Sequence, residues 1–322
     1  MSSSTEQQAD EVCASCDKAA VDNIKLRLCT ACKLVKYCCV ECQKNHRPQH
    51  KKACKKRAAE IRDDNLFRQP DESHLGECSI CCLPLPLDVN KWTVNSCCCK
   101  RICDGCQHAN CIRENEQGLE HRCPFCRESV PNSWDEKENQ NLMNRAEAND
   151  PIALFQLGMK CVDEGDYEGA FEYYTKAAKL GDMGANYNLS CFYRLGHGVE
   201  KDKKKEIYHL EEAAIGGHPG ARNNLGCHEE DRGKINRAMK HYVIAAKLGH
   251  DGALGAVKNG FRGGVVSKED YETALRGHQA AVDATKSTQR DAAAEFLNQG
   301  EEYLKQWNIT KENLREAFTK SR

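Results

Sequence analysis

The chain has 322 residues, with 47 Lys plus Arg against 48 Asp plus Glu and a formal charge of −1. That balance excludes a molecule that grips polyanions by bulk charge, and the length leaves room for two or three domains. Cysteine is the informative residue. Of 22, 19 fall between Cys13 and Cys126, so the two halves of the chain must hold themselves together differently.

A cysteine-dense segment is either a disulfide framework or a metal scaffold. The opening Met1 to Gln8 carries neither the basic leader nor the apolar stretch of a secretory signal, and no apolar run is long enough to span a bilayer. The expectation is a reducing, intracellular setting, cytoplasmic or nuclear, with no membrane partner and with thiols free to bind metal. Five C-x2-C pairs agree: Cys13/Cys16, Cys29/Cys32, Cys78/Cys81, Cys103/Cys106 and Cys123/Cys126. Two residues between thiolates let both sulfurs face one tetrahedral ion, a spacing that disulfides do not require.

Residues 1–12 are expected to be a disordered N-terminus, followed by a first finger over 13–54. Its donors run Cys13, Cys16, Cys29, Cys32, Cys38, Cys42, His50 and Cys54, eight in all and enough for two closed four-coordinate zinc sites. Cys38/Cys42 and His50/Cys54 stand four apart, which puts each pair on one face of a helix. Cys39 and His46 are the weaker alternatives. The stretch from Tyr37 to Gln43 with His50 to Cys54 resembles the MYND zinc finger. That resemblance implies interleaved sites, one of Cys13, Cys16, Cys38 and Cys42, the other of Cys29, Cys32, His50 and Cys54. It also implies a module that docks proteins or short proline-containing peptides. No stretch resembles the SET methyltransferase domain that accompanies some members.

A basic helix and linker are expected over 55–77. The run Lys44, Arg47, Lys51, Lys52, Lys55, Lys56 and Arg57 suits a nuclear address or a phosphate grip. A solvated helix face explains it more simply, and no aromatic residues interleave it as single-strand nucleic-acid binding would want. Nucleic acid is not the expected partner.

A second finger is expected over 78–127. Cys78, Cys81, Cys103, Cys106, Cys123 and Cys126 supply six donors, and the triplet Cys97-Cys98-Cys99 supplies the rest. Cys97 and Cys98 are preferred, with Cys99 the substitute. The opening Cys78-Ser79-Ile80-Cys81 and the closing Cys123-Pro124-Phe125-Cys126-Arg127 resemble a RING finger, although Lys100 stands where that family has a ligating His. The resemblance implies cross-bracing, with Cys78, Cys81, Cys103 and Cys106 as one site. It also implies that Ile80 and Pro124 contact a ubiquitin-conjugating enzyme and that Arg127 bridges to ubiquitin. Four zinc ions are expected across both fingers. Cys39, Cys82 and Cys111 are expected to be small buried hydrophobes.

After a linker over 128–149 the chain repeats itself. Ala153, Ala185, Ala221 and Ala253 open four units, and Ala177-Ala178, Ala213-Ala214 and Ala245-Ala246 each precede the next start by eight residues. Small residues at fixed places let paired helices approach closely, with Leu157, Phe171, Tyr174, Leu189, Tyr208, Leu225 and Tyr242 as the larger core groups. Such pairs stack into a solenoid. The loop Gly196-His197-Gly198-Val199 and the Ala-Ala-x2-Gly turns resemble Sel-one-like repeats, relatives of the tetratricopeptide family, over 150–285. Cys161, Cys191 and Cys227 are read as core, and residues 286–322 as C-terminal capping helices. The expected fold class is multidomain, with two small zinc-stabilised cross-brace fingers followed by an all-α helical-repeat solenoid. The expected function is a zinc-binding protein-interaction adaptor, the alternative a RING-type ubiquitin ligase whose solenoid recruits substrate.

Overall fold

A computed structural model describes residues 12–20, 25–129 and 134–306, with the side chains of 134–136 and 300–306 excepted. The expected disordered N-terminus lies almost wholly outside these residues, as do residues 307–322 of the expected capping segment. The chain divides after Arg68 into two compact units.

The first unit has little apolar material. Its buried cluster is Cys13, Cys29, Cys32 and Tyr37, flanked by Leu26, Val35 and further cysteines. Strand β1 (Arg27–Leu28) pairs antiparallel with β2 (Lys36–Tyr37), and Val12 bridges Ala19. Helix α1 (Val40–Leu66) follows, opened by Cys39, whose sulfur accepts the Cys42 N–H. Cys39 is exposed and caps a helix, so it is not the buried hydrophobe expected of it.

The second unit begins with a small cysteine-rich module. Strand β3 (Trp92–Asn95) pairs antiparallel with β4 (Lys100–Cys103), which runs directly into α2 (Asp104–Glu116). Ile102, Leu75 and Leu85 form its buried apolar centre together with Cys78, Cys103 and Cys106. The stretch expected as a linker contains α3 (Trp134–Glu147), which packs on the first repeat helix.

The repeats form paired helices. The first helix of each pair is α4 (Pro151–Asp163), α6 (Met183–Leu195), α8 (Pro219–Asp231) and α10 (Asp251–Arg262). The second is α5 (Tyr167–Lys179), α7 (Lys203–Ile215), α9 (Ile235–Lys247) and α11 (Lys268–Ala284). The landmark alanines Ala153, Ala185, Ala221 and Ala253 are all fully buried, as are Ala177, Ala213 and Ala245. Their small side chains allow close helix packing. Gly181, Gly217 and Gly249 sit in the exit turns at φ of 91°, 85° and 90°, where only glycine is unstrained. Each first helix is capped by its own residue, Asp150, Asp182, His218 or His250.

Three expectations about the repeats are corrected. Tyr208 is 51% exposed, and Leu210 takes the core position at 1%, because helical geometry turns residue 208 away from α6. Cys227 is exposed rather than core. The last described helix, α12 (Thr288–Gln306), packs chiefly on α2 of the cysteine-rich module rather than on the end of the repeat stack.

Candidate metal centres

Four stretches share one backbone device. In each C-x2-C knuckle the residue after the second cysteine turns left-handed and donates its N–H back to the first cysteine's carbonyl. Asp17 bonds Cys13 at 2.9 Å, Lys33 bonds Cys29 at 3.0 Å, Cys82 bonds Cys78 at 2.9 Å and Arg127 bonds Cys123 at 3.0 Å, with φ between 54° and 61°. This turn aims both thiols the same way. It also explains why Cys82 is exposed rather than buried as expected: its place is set by the turn. The pair Cys103/Cys106 achieves the same aim differently, by spanning the first turn of α2.

The structure draws sixteen side chains into four sets, in each of which the donor atoms lie within 4.8 Å of one another. The sets are Cys13, Cys16, Cys38 and Cys42; Cys29, Cys32, His50 and Cys54; Cys78, Cys81, Cys103 and Cys106; and Cys97, Cys98, Cys123 and Cys126. Within each module the two sets alternate along the chain, which is a cross-brace. Sulfur–sulfur distances are 3.6 Å for Cys16–Cys38, 3.8 Å for Cys29–Cys54, 3.9 Å for Cys81–Cys103 and 3.8 Å for Cys98–Cys123. Sulfurs at about 2.3 Å from a tetrahedral zinc stand about 3.8 Å apart, so the donor sets fit that ion.

Electrostatics point the same way. In the first set, burial opposes ionisation of Cys13, yet backbone N–H donors led by Cys38 outweigh it and lower the pKa of that thiol to about 6. Cys38 is pushed up to about 11; its bond with Cys42 works against the rise, and neighbours led by Cys13 outweigh it. In the second set the Cys29 pKa is lowered to about 6 by hydrogen bonds led by the Cys32 N–H, against burial, while burial and the neighbouring Cys29 push Cys54 up to about 11. Thiols this crowded cannot all ionise unaided. A dication is what lets four do so at once.

The remaining candidates have other partners. His46 accepts or donates at the Tyr37 hydroxyl, 3.0 Å away, and stacks on His50 at 5.5 Å, so it orients His50 rather than joining the set. Cys99 leaves its two neighbours and is buried among Leu142, Ala153 and Leu157, at the foot of the repeats. Lys100, in place of a ligand, lies over the Phe125 ring at 5.0 Å. Cys111 is half-buried and accepts from Gln107. Ile80, Pro124 and Arg127 all stand exposed on the knuckles of the second module, and Arg127 also serves the left-handed turn.

Two residues escaped the sequence reading. Glu114, 5% exposed, binds His121 at 2.5 Å and Asn110 at 2.9 Å, tying α2 to the loop that leads into the last knuckle. Arg290 reaches the first knuckle of the second module from α12. A lone Glu and a lone Arg in polar helices carry no periodic or spacing signal.

Known proteins match parts of the chain. The family model described as MYND finger matches residues 13–54, and that described as Sel1 repeat matches 151–182, 184–218 and 220–250. HcpC of Helicobacter pylori, a protein named for beta-lactamase, is 43% identical over 56 residues. Chitin synthase regulatory factor 4 of Schizosaccharomyces pombe is 32% identical over 83 residues. The matches cover 17% and 26% of this chain and span only 19% and 13% of those relatives' own length. Among solved structures, a Sel1 repeat protein from Oxalobacter formigenes is 26% identical, covering 38% of this chain and 98% of its own, with a TM-score of 0.36. A protective antigen of uropathogenic Escherichia coli with the SLR fold is also 26% identical, covering 46% and 33%, with a TM-score of 0.38. This chain therefore carries a MYND finger over residues 13–54 and Sel1 repeats between residues 151 and 250.

Proposed function

We propose that this protein is an adaptor held in shape by four zinc ions, whose fingers and repeats each present a surface to a protein partner. The single observation that carries the reading is the assembly of sixteen donors into four closed tetrads. A tetrad with no open position is a structural site, and the buried centre of the first finger consists almost entirely of its ligands. Metal binding there is folding.

Binding surfaces accompany the sites. An open groove of about 410 Å³ runs beside the second tetrad, lined by Tyr37, Val40, Arg47 and Lys51 among others. A second cavity of about 600 Å³ lies between the β3–β4 hairpin and the first repeats, lined by Trp92, Phe155, Tyr174 and Tyr187 among others. Concave surfaces of this size, the first edged by basic side chains and the second lined by aromatic ones, suit peptide segments. Dependence on so many free thiols supports a reducing compartment, the cytoplasm or nucleus, as the working site. Among the described residues no helix is long and apolar enough to cross a membrane.

The test is native mass spectrometry of the purified chain, coupled to binding of a proline-containing peptide array. Four zinc ions per chain and peptide capture lost on Cys29→Ser support the reading. A chain that folds fully without metal overturns it. A second reading, a RING-type ligase, is favoured by the exposure of Ile80, at 43%, and of Pro124. Such enzymes act by positioning a charged conjugating enzyme. Autoubiquitination across a panel of conjugating enzymes, lost on Ile80→Ala and Arg127→Ala, supports that activity. Product that survives both substitutions argues against it.

A further inference from the structure

The contact between the second module and α12 converges on one tetrad. Gly105, at the start of α2, faces the α12 backbone so closely that a Cβ there would stand 2.7 Å from the Arg290 nitrogen and 2.8 Å from the Gln289 carbonyl carbon. The Gln289 side chain lies 3.9 Å from Cys106 Sγ. The Arg290 guanidinium spans the first knuckle: Nη1 donates to the Pro84 and Thr285 carbonyls at 2.8 and 2.7 Å. Nη2 donates to the Leu83 carbonyl at 3.2 Å and to Cys81 Sγ at 3.6 Å. Further along α12, the Phe296 ring lies against His108 of α2 at 4.8 Å. Two consecutive residues of the last helix thus touch two of the four sulfurs of the Cys78, Cys81, Cys103 and Cys106 set.

Four thiolates around a dication leave two net negative charges in a partly buried site. A guanidinium hydrogen-bonded to one sulfur offsets part of that charge and fixes the ligand's direction. Arg suits the task because its planar fork reaches a sulfur and three carbonyls together, which a Lys ammonium does not. We infer that Arg290 is the outer-sphere partner of this third tetrad, and that α12 is seated by the metal it helps to hold. The inference rests on zinc occupying the tetrad, and it makes the C-terminal helix a dependent part of the finger rather than an end-cap of the repeats.

The experiment uses the full-length zinc-loaded chain. Zinc release to a colorimetric chelator is timed, the bound zinc is counted by native mass spectrometry, and hydrogen exchange is followed over residues 288–299. Arg290→Ala should accelerate release of one zinc of four by about tenfold or more, leaving the other three at wild-type rates. Arg290→Lys should fall between. Gly105→Ala, which forces α12 away without altering any donor, should accelerate the same zinc, and complete stripping of zinc should raise exchange in α12. Release unchanged in all three variants overturns the inference, even if α12 exchanges faster. Exchange in α12 indifferent to zinc also overturns it. A wild-type chain that never holds four zinc ions instead overturns the reading of the tetrads themselves, so the two failures are distinguishable.

Discussion

Gly158 of α4 lies directly beneath the ring of Tyr174 in α5: a Cβ on Gly158 would stand 2.6 Å from the ring's Cε1. The same pair recurs two units later, with Gly226 under Tyr242 at 2.4 Å. In the intervening unit Ser190 holds the glycine's place and Leu210 the tyrosine's. Where the partner is a flat ring pressed on the helix backbone the site must be glycine, and where it is a Leu a small side chain fits. Gly158→Ala and Gly226→Ala should each destabilise the repeats by about 1–3 kcal/mol through overpacking, less what alanine recovers in helix propensity. Gly255, mid-helix in α10 and exposed, has nothing within 4 Å of its would-be Cβ. Gly255→Ala should therefore stabilise by about 0.5–1 kcal/mol. Urea unfolding followed by circular dichroism reads both. Equal effects of the same sign would refute this packing account.

The cysteine triplet offers a sharper test. Cys97 and Cys98 share a tetrad with Cys123 and Cys126, whereas Cys99 is 3% exposed and packs on Leu142, Ala153 and Leu157. Cys97→Ser should lower the zinc count from four to three. Cys99→Ala should leave it at four and instead lower stability by about 1–3 kcal/mol, because it opens a gap against Leu142, Ala153 and Leu157 and removes the sulfur that Arg145 hydrogen-bonds. Zinc counting and a melting curve on the two variants separate the roles. A zinc lost from the Cys99 variant would mean that the triplet is read wrongly.

Metal removal should divide the molecule. The tetrads lie between Cys13 and Cys126, while the repeats hold buried clusters of their own, such as Leu154, Tyr174, Leu189 and Phe192. A strong chelator at neutral pH should abolish the near-ultraviolet signal of Trp92 and the ordered knuckles yet keep most of the helical signal. Loss of all helicity on chelation would show that the repeats have no independent stability.

How much of this was legible depended on repetition. The paired cysteines that the structure gathers into four sets were visible as C-x2-C spacings, because a tetrahedral ion needs paired thiolates and admits few spacings; which pairs share a set came from the resemblance to known fingers. The helix pairs follow from alanines that recur at fixed intervals. What escaped reading was aperiodic. Tyr208 and Leu210 differ by two positions in one helix, and only the direction of the neighbouring helix decides which is core. The segment 134–147 carries few apolar residues, so its helix becomes evident only from packing on α4. Arg290 touches residues more than 200 positions earlier, and nothing local in a polar helix announces that.

The last prediction concerns acid. His218 and His250 cap α8 and α10 through Nδ1, which accepts the N–H of Ala221 and Ala253 at 3.1 Å each. An accepting nitrogen carries no proton, so these rings work as caps only when neutral. Burial holds the His218 pKa well below the ordinary value, aided by the neighbouring His74 and His250; burial also lowers His250 against the pull of Asp251. His74, stacked on His218 at 4.1 Å, is pushed down to about 4 by burial and by Arg101. The unfolded chain protonates these rings near pH 6.5 and the folded chain only lower, so unfolding takes up protons between those values. The stabilisation is complete above about pH 6.5 and is lost as pH falls toward 4. In a His218→Asn, His250→Asn double variant the caps remain, since Asn is a good N-cap, but they no longer titrate. Melting curves of both proteins at pH 7.5 and pH 5 isolate the effect, because any metal loss in acid is common to the two. Wild type should lose about 1 kcal/mol per histidine relative to the variant. A gap that stays constant with pH would show that the cap histidines do not carry the acid sensitivity of the repeats.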